Sequence, residues 1–251
     1  MKILSLLRSN LRLIIFLFIF GLVGGYFTSL YALESLDPSV LEETVSSLGS
    51  VDIVILISTI QSVVYSVVLG LLGKALAEKI GLWKRWELEK NPIILTLIIS
   101  VIGGVLFILP DYFIFSGFSD VIRDSYAVKP SLVYIISCVT YAPVVEEIML
   151  RLFLMSLIAF VLWKFSRKES IDEKHIIIAN IIAAILFSLG HLPATAMTIG
   201  LTPMIVLRCF LMNGAFGLTF GYLYRKYGIQ YSMLAHAGIH VVSKLIWIIF
   251  I

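Results

Sequence analysis

Ionisable side chains that fall inside long apolar stretches of this chain include Glu146, Glu147, Arg151, His191, Arg208, His236, His240 and Lys244. Each costs at least a few kcal/mol to hold in lipid, so each is a candidate for function. Three of the four histidines in the sequence are in this set, and only His175 sits at a loop edge. The first segment reads Tyr141-Ala-Pro143-Val-Val-Glu146-Glu147-Ile-Met-Leu-Arg151. On a helix, Glu147 and Arg151 share a face one turn apart and are expected to pair. Glu146, about 140° around the helix from Arg151, is left to face something else, as a general base must. Pro143 weakens the backbone ladder just upstream, which suits a helix opened locally beside a cavity. The second segment, Phe187-Ser-Leu-Gly-His191, sets an aromatic ring one turn from an imidazole. The third, His236-Ala-Gly-Ile-His240, puts two imidazoles on one face, a spacing that serves a metal or a catalytic site. Together these groups fit water activation, metal ligation or a proton relay.

The elements that must hold these residues are membrane spans. The 251 residues are 60% apolar and 14% charged, with a mean hydropathy of +1.03; soluble proteins carry about 25% charged residues. That composition excludes a soluble globule and a disordered chain. Two cysteines exclude a disulfide scaffold, and a net charge of +3 gives no footprint for nucleic acid. Runs long enough to cross a bilayer, about 20 residues each, lie at about 11–33, 52–73, 92–117, 131–163, 175–195, 203–224 and 229–250. The expected fold is an all-α, polytopic transmembrane helical bundle of about seven spans, six to eight. Residues 1–251 are expected to form a single integral membrane domain, with the chemistry in the half at about 131–251. The first run follows Lys2, Arg8 and Arg12 but is too long for a signal peptide, so it reads as a retained span.

Of the 19 Lys and Arg, 14 fall on alternate connections, which also orients the chain. They lie in the N-terminal arm, in Lys74–Lys90, in Lys164–Lys174 and at Arg225 and Lys226, whereas the opposite loops are acidic. The N-terminus is therefore expected in the cytoplasm. Arg208 and Lys244, near the outer ends of their spans, are expected to snorkel to the interface. Cys138 and Cys209 read as packing thiols. Gly70/Gly73, Gly103/Gly104 and Gly214/Gly217/Gly221 are expected to let helices approach closely.

The three polar segments, in order and spacing, resemble the CPBP family of intramembrane proteases, which includes CAAX proteases and bacteriocin-processing, Abi-like enzymes. Its pattern is EExxxR, FxxxH, then HxxxN or HxxxD on successive helices; here it runs Glu146-Glu147-xxx-Arg151, Phe187-xxx-His191 and His236-xxx-His240. The last position departs, with His240 where the family has Asn or Asp. The resemblance implies an intramembrane endopeptidase in which Glu146 and His191 activate a water. His236 and His240 would donate to the oxyanion, and Glu147, Arg151 and Phe187 would support them. The expected substrate is a membrane-associated or prenylated peptide or protein, the expected surroundings a lipid bilayer, and the expected location the plasma membrane of a prokaryote. Glu146, His191, His236 and His240 are also the candidate ligands for a divalent metal such as zinc. The HExxH, GxSG and GxGD signatures of other membrane proteases are absent, and a metal-free glutamate mechanism is the favoured expectation. The competing expectations are a proteolytically inactive relative acting as a scaffold or immunity protein, and a proton-coupled transporter.

Overall fold

The computed structural model describes residues 10–251. Lys2 and Arg8 of the basic N-terminal arm lie outside the described residues. Among the described residues nine helices, with a 3₁₀ turn at Phe115–Phe118, follow one another: α1 (Leu11–Ser35), α2 (Pro38–Leu48), α3 (Val51–Lys79), α4 (Lys90–Phe113), α5 (Asp120–Ser125), α6 (Leu132–Ser166), α7 (Glu173–Thr198), α8 (Pro203–Tyr227) and α9 (Ile229–Phe250). No strand occurs among the described residues. All but α2 and α5 are long and apolar enough to cross a membrane, so the chain is an all-α polytopic helical bundle.

Local sequence sets where these helices begin. Ser50, Ser131, Asp172 and Thr202 each accept a backbone N–H of the first turn, at the starts of α3, α6, α7 and α8. Such caps satisfy donors that a helix start leaves open. Lys168 hydrogen-bonds the Asp172 carboxylate and the His175 N–H adds a second bond, which together hold its carboxyl below the usual range. Gly228, at φ +113°, supplies the left-handed residue that turns α8 directly into α9.

The surface is inverted relative to a soluble protein. Leu97, Val101, Ile102 and Leu106 of α4 point outward, whereas Ser66, Ser156, Ser188, Ser232 and Ser243 are buried. Small residues bring the helices close enough to bury those hydroxyls. A Cβ on Gly73 would sit 2.8 Å from the Leu152 backbone, so α3 and α6 touch main chain to main chain there. A Cβ on Gly104 would lie 2.5 Å from the Val242 side chain, which joins α4 to α9.

Helix α6 is not uniformly α-helical. Its backbone widens into π-helical winding at Tyr141–Glu146 and again at Ile148–Met155. Pro143, which has no N–H to donate, sits within the first segment. Wide turns of this kind recur at functional sites. Here the widened segments carry Glu146 and Arg151, with Glu147 at the junction between them.

Candidate active site

The two adjacent glutamates face different surroundings. Glu147 is fully buried. Its Oε1 lies 3.2 Å from Arg151 Nη1 and accepts a hydrogen bond from His236 Nδ1 at 2.9 Å. Its Oε2 accepts from the Ser232 hydroxyl. One carboxylate thus has three partners, of which His236 and Ser232 tie α6 to α9. Arg151 is equally buried and is held mostly by contacts other than aligned hydrogen bonds. Its guanidinium lies 4.5 Å from the Phe187 ring centre and 5.4 Å from that of Phe220, and neither Nη1 nor Nη2 has a hydrogen-bond partner. Aromatic faces attract a desolvated cation, so the two rings and one carboxylate share the guanidinium. A Cβ at Gly217 would lie 2.9 Å from Nη2, which leaves glycine to make room for it.

Glu146 is only partly buried and has none of those partners. Its Oε1 lies 3.8 Å from His191 Nε2, beyond direct hydrogen-bond reach. The His191 ring is fixed from behind, with Nδ1 2.9 Å from the Phe187 carbonyl and its edge against the Phe187 ring. A carbonyl can only accept, so Nδ1 carries the proton, and in the neutral form of the ring Nε2 presents a lone pair towards Glu146. Phe187 therefore serves both halves of the site: its ring covers Arg151 and its carbonyl sets the tautomer of His191.

On α9, His236 is buried and stacked 4.5 Å from the Phe220 ring at 19°. The same logic gives its Nδ1 the proton that Glu147 accepts. His240, one turn on, stacks 5.1 Å from His236 and meets Phe107 edge-on at 5.6 Å; its Nδ1 has no hydrogen-bond partner. The structure thus joins Glu146 to His191 and, separately, Glu147, Arg151, His236 and His240 in a chain of contacts. Among the described residues no three His, Cys, Asp or Glu side chains gather as a metal-ligand set. The four candidate ligands divide between the two groups, and His236 Nδ1 is already engaged by Glu147.

Sequence reading missed Ser232 and Phe220. A serine and a phenylalanine in apolar helices carry no local signal, and their partners are far away in the chain. It also misplaced two cations. Arg208 does not snorkel alone: it pairs with Asp111 of α4, with Nη2 at 3.0 Å from Oδ2, and the Tyr126 hydroxyl joins at 2.8 Å. Lys244 is buried, 3.0 Å from the Tyr134 hydroxyl, with its ammonium 4.3 Å from that ring centre. Both cations turn inward because a partner on another helix is available, and snorkelling serves only a cation without one.

Comparison with curated proteins and with solved structures gives no match. Residues 128–242 match the family model described as Type II CAAX prenyl endopeptidase Rce1-like. That stretch contains all three polar segments and nearly the whole contact network around Glu147. Through residues 128–242 the chain is therefore similar to the Rce1-like type II CAAX prenyl endopeptidases.

Proposed function

We propose that the protein is an intramembrane endopeptidase that hydrolyses a peptide bond in a membrane-associated or prenylated substrate, with Glu146 as general base. The observation that carries this reading is the unequal pair of glutamates. Glu147 is saturated by three partners, while Glu146 faces only His191 Nε2 across 3.8 Å. Two acceptors at that spacing are suited to one water that donates a hydrogen to each. Its lone pair then points away from both, towards a substrate carbonyl. As the oxygen attacks, Glu146 takes the proton and later gives it to the leaving amine, so the C–N bond breaks without an external acid.

His236 and His240 serve the developing oxyanion, stabilisation worth roughly 3–4 kcal/mol per donor. The Glu147 bond fixes one condition on this role. With Nδ1 donating to Glu147, His236 has a second N–H to offer, at Nε2, only as an imidazolium. Glu147 and Arg151 are then positioning residues. No step requires a metal. A lipid-modified substrate is supported by an apolar groove of about 300 Å³ between α4 and α8, lined by Leu106, Phe115, Met212 and Phe216 among others. Phe216 packs on Phe107, the ring that meets His240.

The test compares membrane-associated peptides by mass spectrometry in cells making the wild-type protein or Glu146→Gln. Products present with wild type should fall at least a hundredfold with the variant, the scale of a lost general base. Equal product from both proteins would end the assignment.

A further inference from the structure

Glycine recurs in these helices, and with one exception its role is close contact. Every glycine inside α1, α3, α4, α8 and α9 would place a Cβ 2.9 Å or less from an atom of another helix. A Cβ at Gly190 of α7 would meet nothing within 4 Å. Gly190 does not turn the chain either, since α7 runs on through it to Thr198. A glycine inside a helix is less stable there than alanine, so neither packing nor winding accounts for this one. It immediately precedes His191.

Gly190 does not lie on the lipid face of α7. At about 100° per residue it falls about 20° from Ala179 on one side and about 20° from Ala183 on the other. Those alanines are 0% and 2% exposed and share a core cluster with Leu152, Met155 and Ala159 of α6. On the same face Gly190 and, one turn on, Ala194 are exposed. Helices α6 and α7 thus pack together along Leu152–Ala159 and part at the level of Gly190. The gap opens where the reacting pair stands: the His191 side chain is 36% exposed and that of Glu146 18%. We propose that Gly190 is a specificity-determining residue, whose missing side chain leaves room in this gap for a bulky side chain next to the scissile bond. The proposal rests on the endopeptidase reading above. The Cα of Gly190 is about 3.8 Å from that of His191. A peptide whose carbonyl sits between Glu146 and His191 therefore crosses α7 beside Gly190, and glycine permits that close approach. The space that continues past Ala194 takes the side chain the peptide carries.

The test identifies, by mass spectrometry, the peptides released in cells making wild type, Gly190→Ala or Gly190→Leu, with the residues flanking each cut. The melting temperature of each protein in detergent is measured alongside. Gly190→Leu should lose products with a bulky residue beside the cut roughly tenfold or more, the scale on which a pocket discriminates by size, and keep those with glycine, alanine or serine there within about threefold. Gly190→Ala should melt no lower than wild type and shift the products in the same direction by a smaller factor. It also reads the preference if Gly190→Leu fails to fold. A loss spread equally over bulky and small products, or no loss in either variant, would overturn the assignment. If wild type releases nothing that cells lacking the protein do not, the endopeptidase reading falls and this one falls with it. If Glu146→Gln releases the same products as wild type, only the role of Glu146 is wrong, and the size preference is still read from the Gly190 variants.

Discussion

Arg151 has two aromatic faces and one carboxylate, and that inventory determines what its loss should do. Arg151→Ala leaves Glu147 buried with only His236 and Ser232, and breaking a buried pair in this way costs about 3–5 kcal/mol. The variant should unfold at a clearly lower temperature in detergent, alongside its loss of activity. Arg151→Lys should rescue charge but not the stacking on Phe187 and Phe220, because an ammonium lacks the planar guanidinium. An Arg151→Ala protein as heat-stable as wild type would show that Glu147 needs no counter-charge. His240 presents the opposite case, since its Nδ1 is unpartnered and its contacts are ring stacking alone. His240→Asn, the residue common in the resembling family, should keep peptide cleavage within a few-fold of wild type, as measured on the same substrate. An inactive His240→Asn, together with wild-type activity that tracks added zinc, would make His240 a ligand instead.

The site depends on how two helices are wound and capped as well as on which residues they carry. The sequence shows the EExxxR spacing and the proline beside it, and the Glu147–Arg151 pair follows from helix periodicity. The π-helical winding of α6 does not follow, because it depends on α1 and α3 packing against Tyr141 and Leu152 through Gly24 and Gly73. Pro143→Ala returns an N–H to the ladder and favours a regular helix, which turns Glu146 relative to Glu147. Turnover should therefore drop well before thermal stability does; unchanged turnover would separate the winding from the chemistry. Helix α7 presents His191 and starts at Asp172. The carboxyl of Asp172 is held below its ordinary value in the folded protein, so its contribution is present above about pH 4 and is lost as the pH falls through the lowered value. Amide exchange at the first turn of α7 should accelerate in that acid range, and Asp172→Ala should show the faster exchange already at neutral pH.

At the scale of the whole molecule, composition made the seven spans legible, because a bilayer demands long apolar runs whatever the tertiary contacts are. The Asp111–Arg208 pair and the Lys244–Tyr134 contact were illegible because their partners lie 97 and 110 positions apart in the chain. Orientation rests on the basic loops, and the contacts of α6 add a consequence. Glu147 meets His236, yet roughly 28 Å of helix follows Glu147 in α6, against roughly 10 Å preceding His236 in α9. The two helices run in opposite directions, so the end of α6 must pass the start of α9 on the basic-loop side by several turns. The Lys164–Lys174 hairpin between α6 and α7 should then project into the cytoplasm while the site stays within the membrane. A protease added to sealed inside-out vesicles should cut first at this hairpin, near Arg167 and Lys168, which are exposed. In right-side-out vesicles the hairpin should be protected, and cleavage should move to the Arg123–Lys129 connection. Cleavage of the hairpin only in right-side-out vesicles would invert the molecule, and with it the direction from which substrate and water reach Glu146.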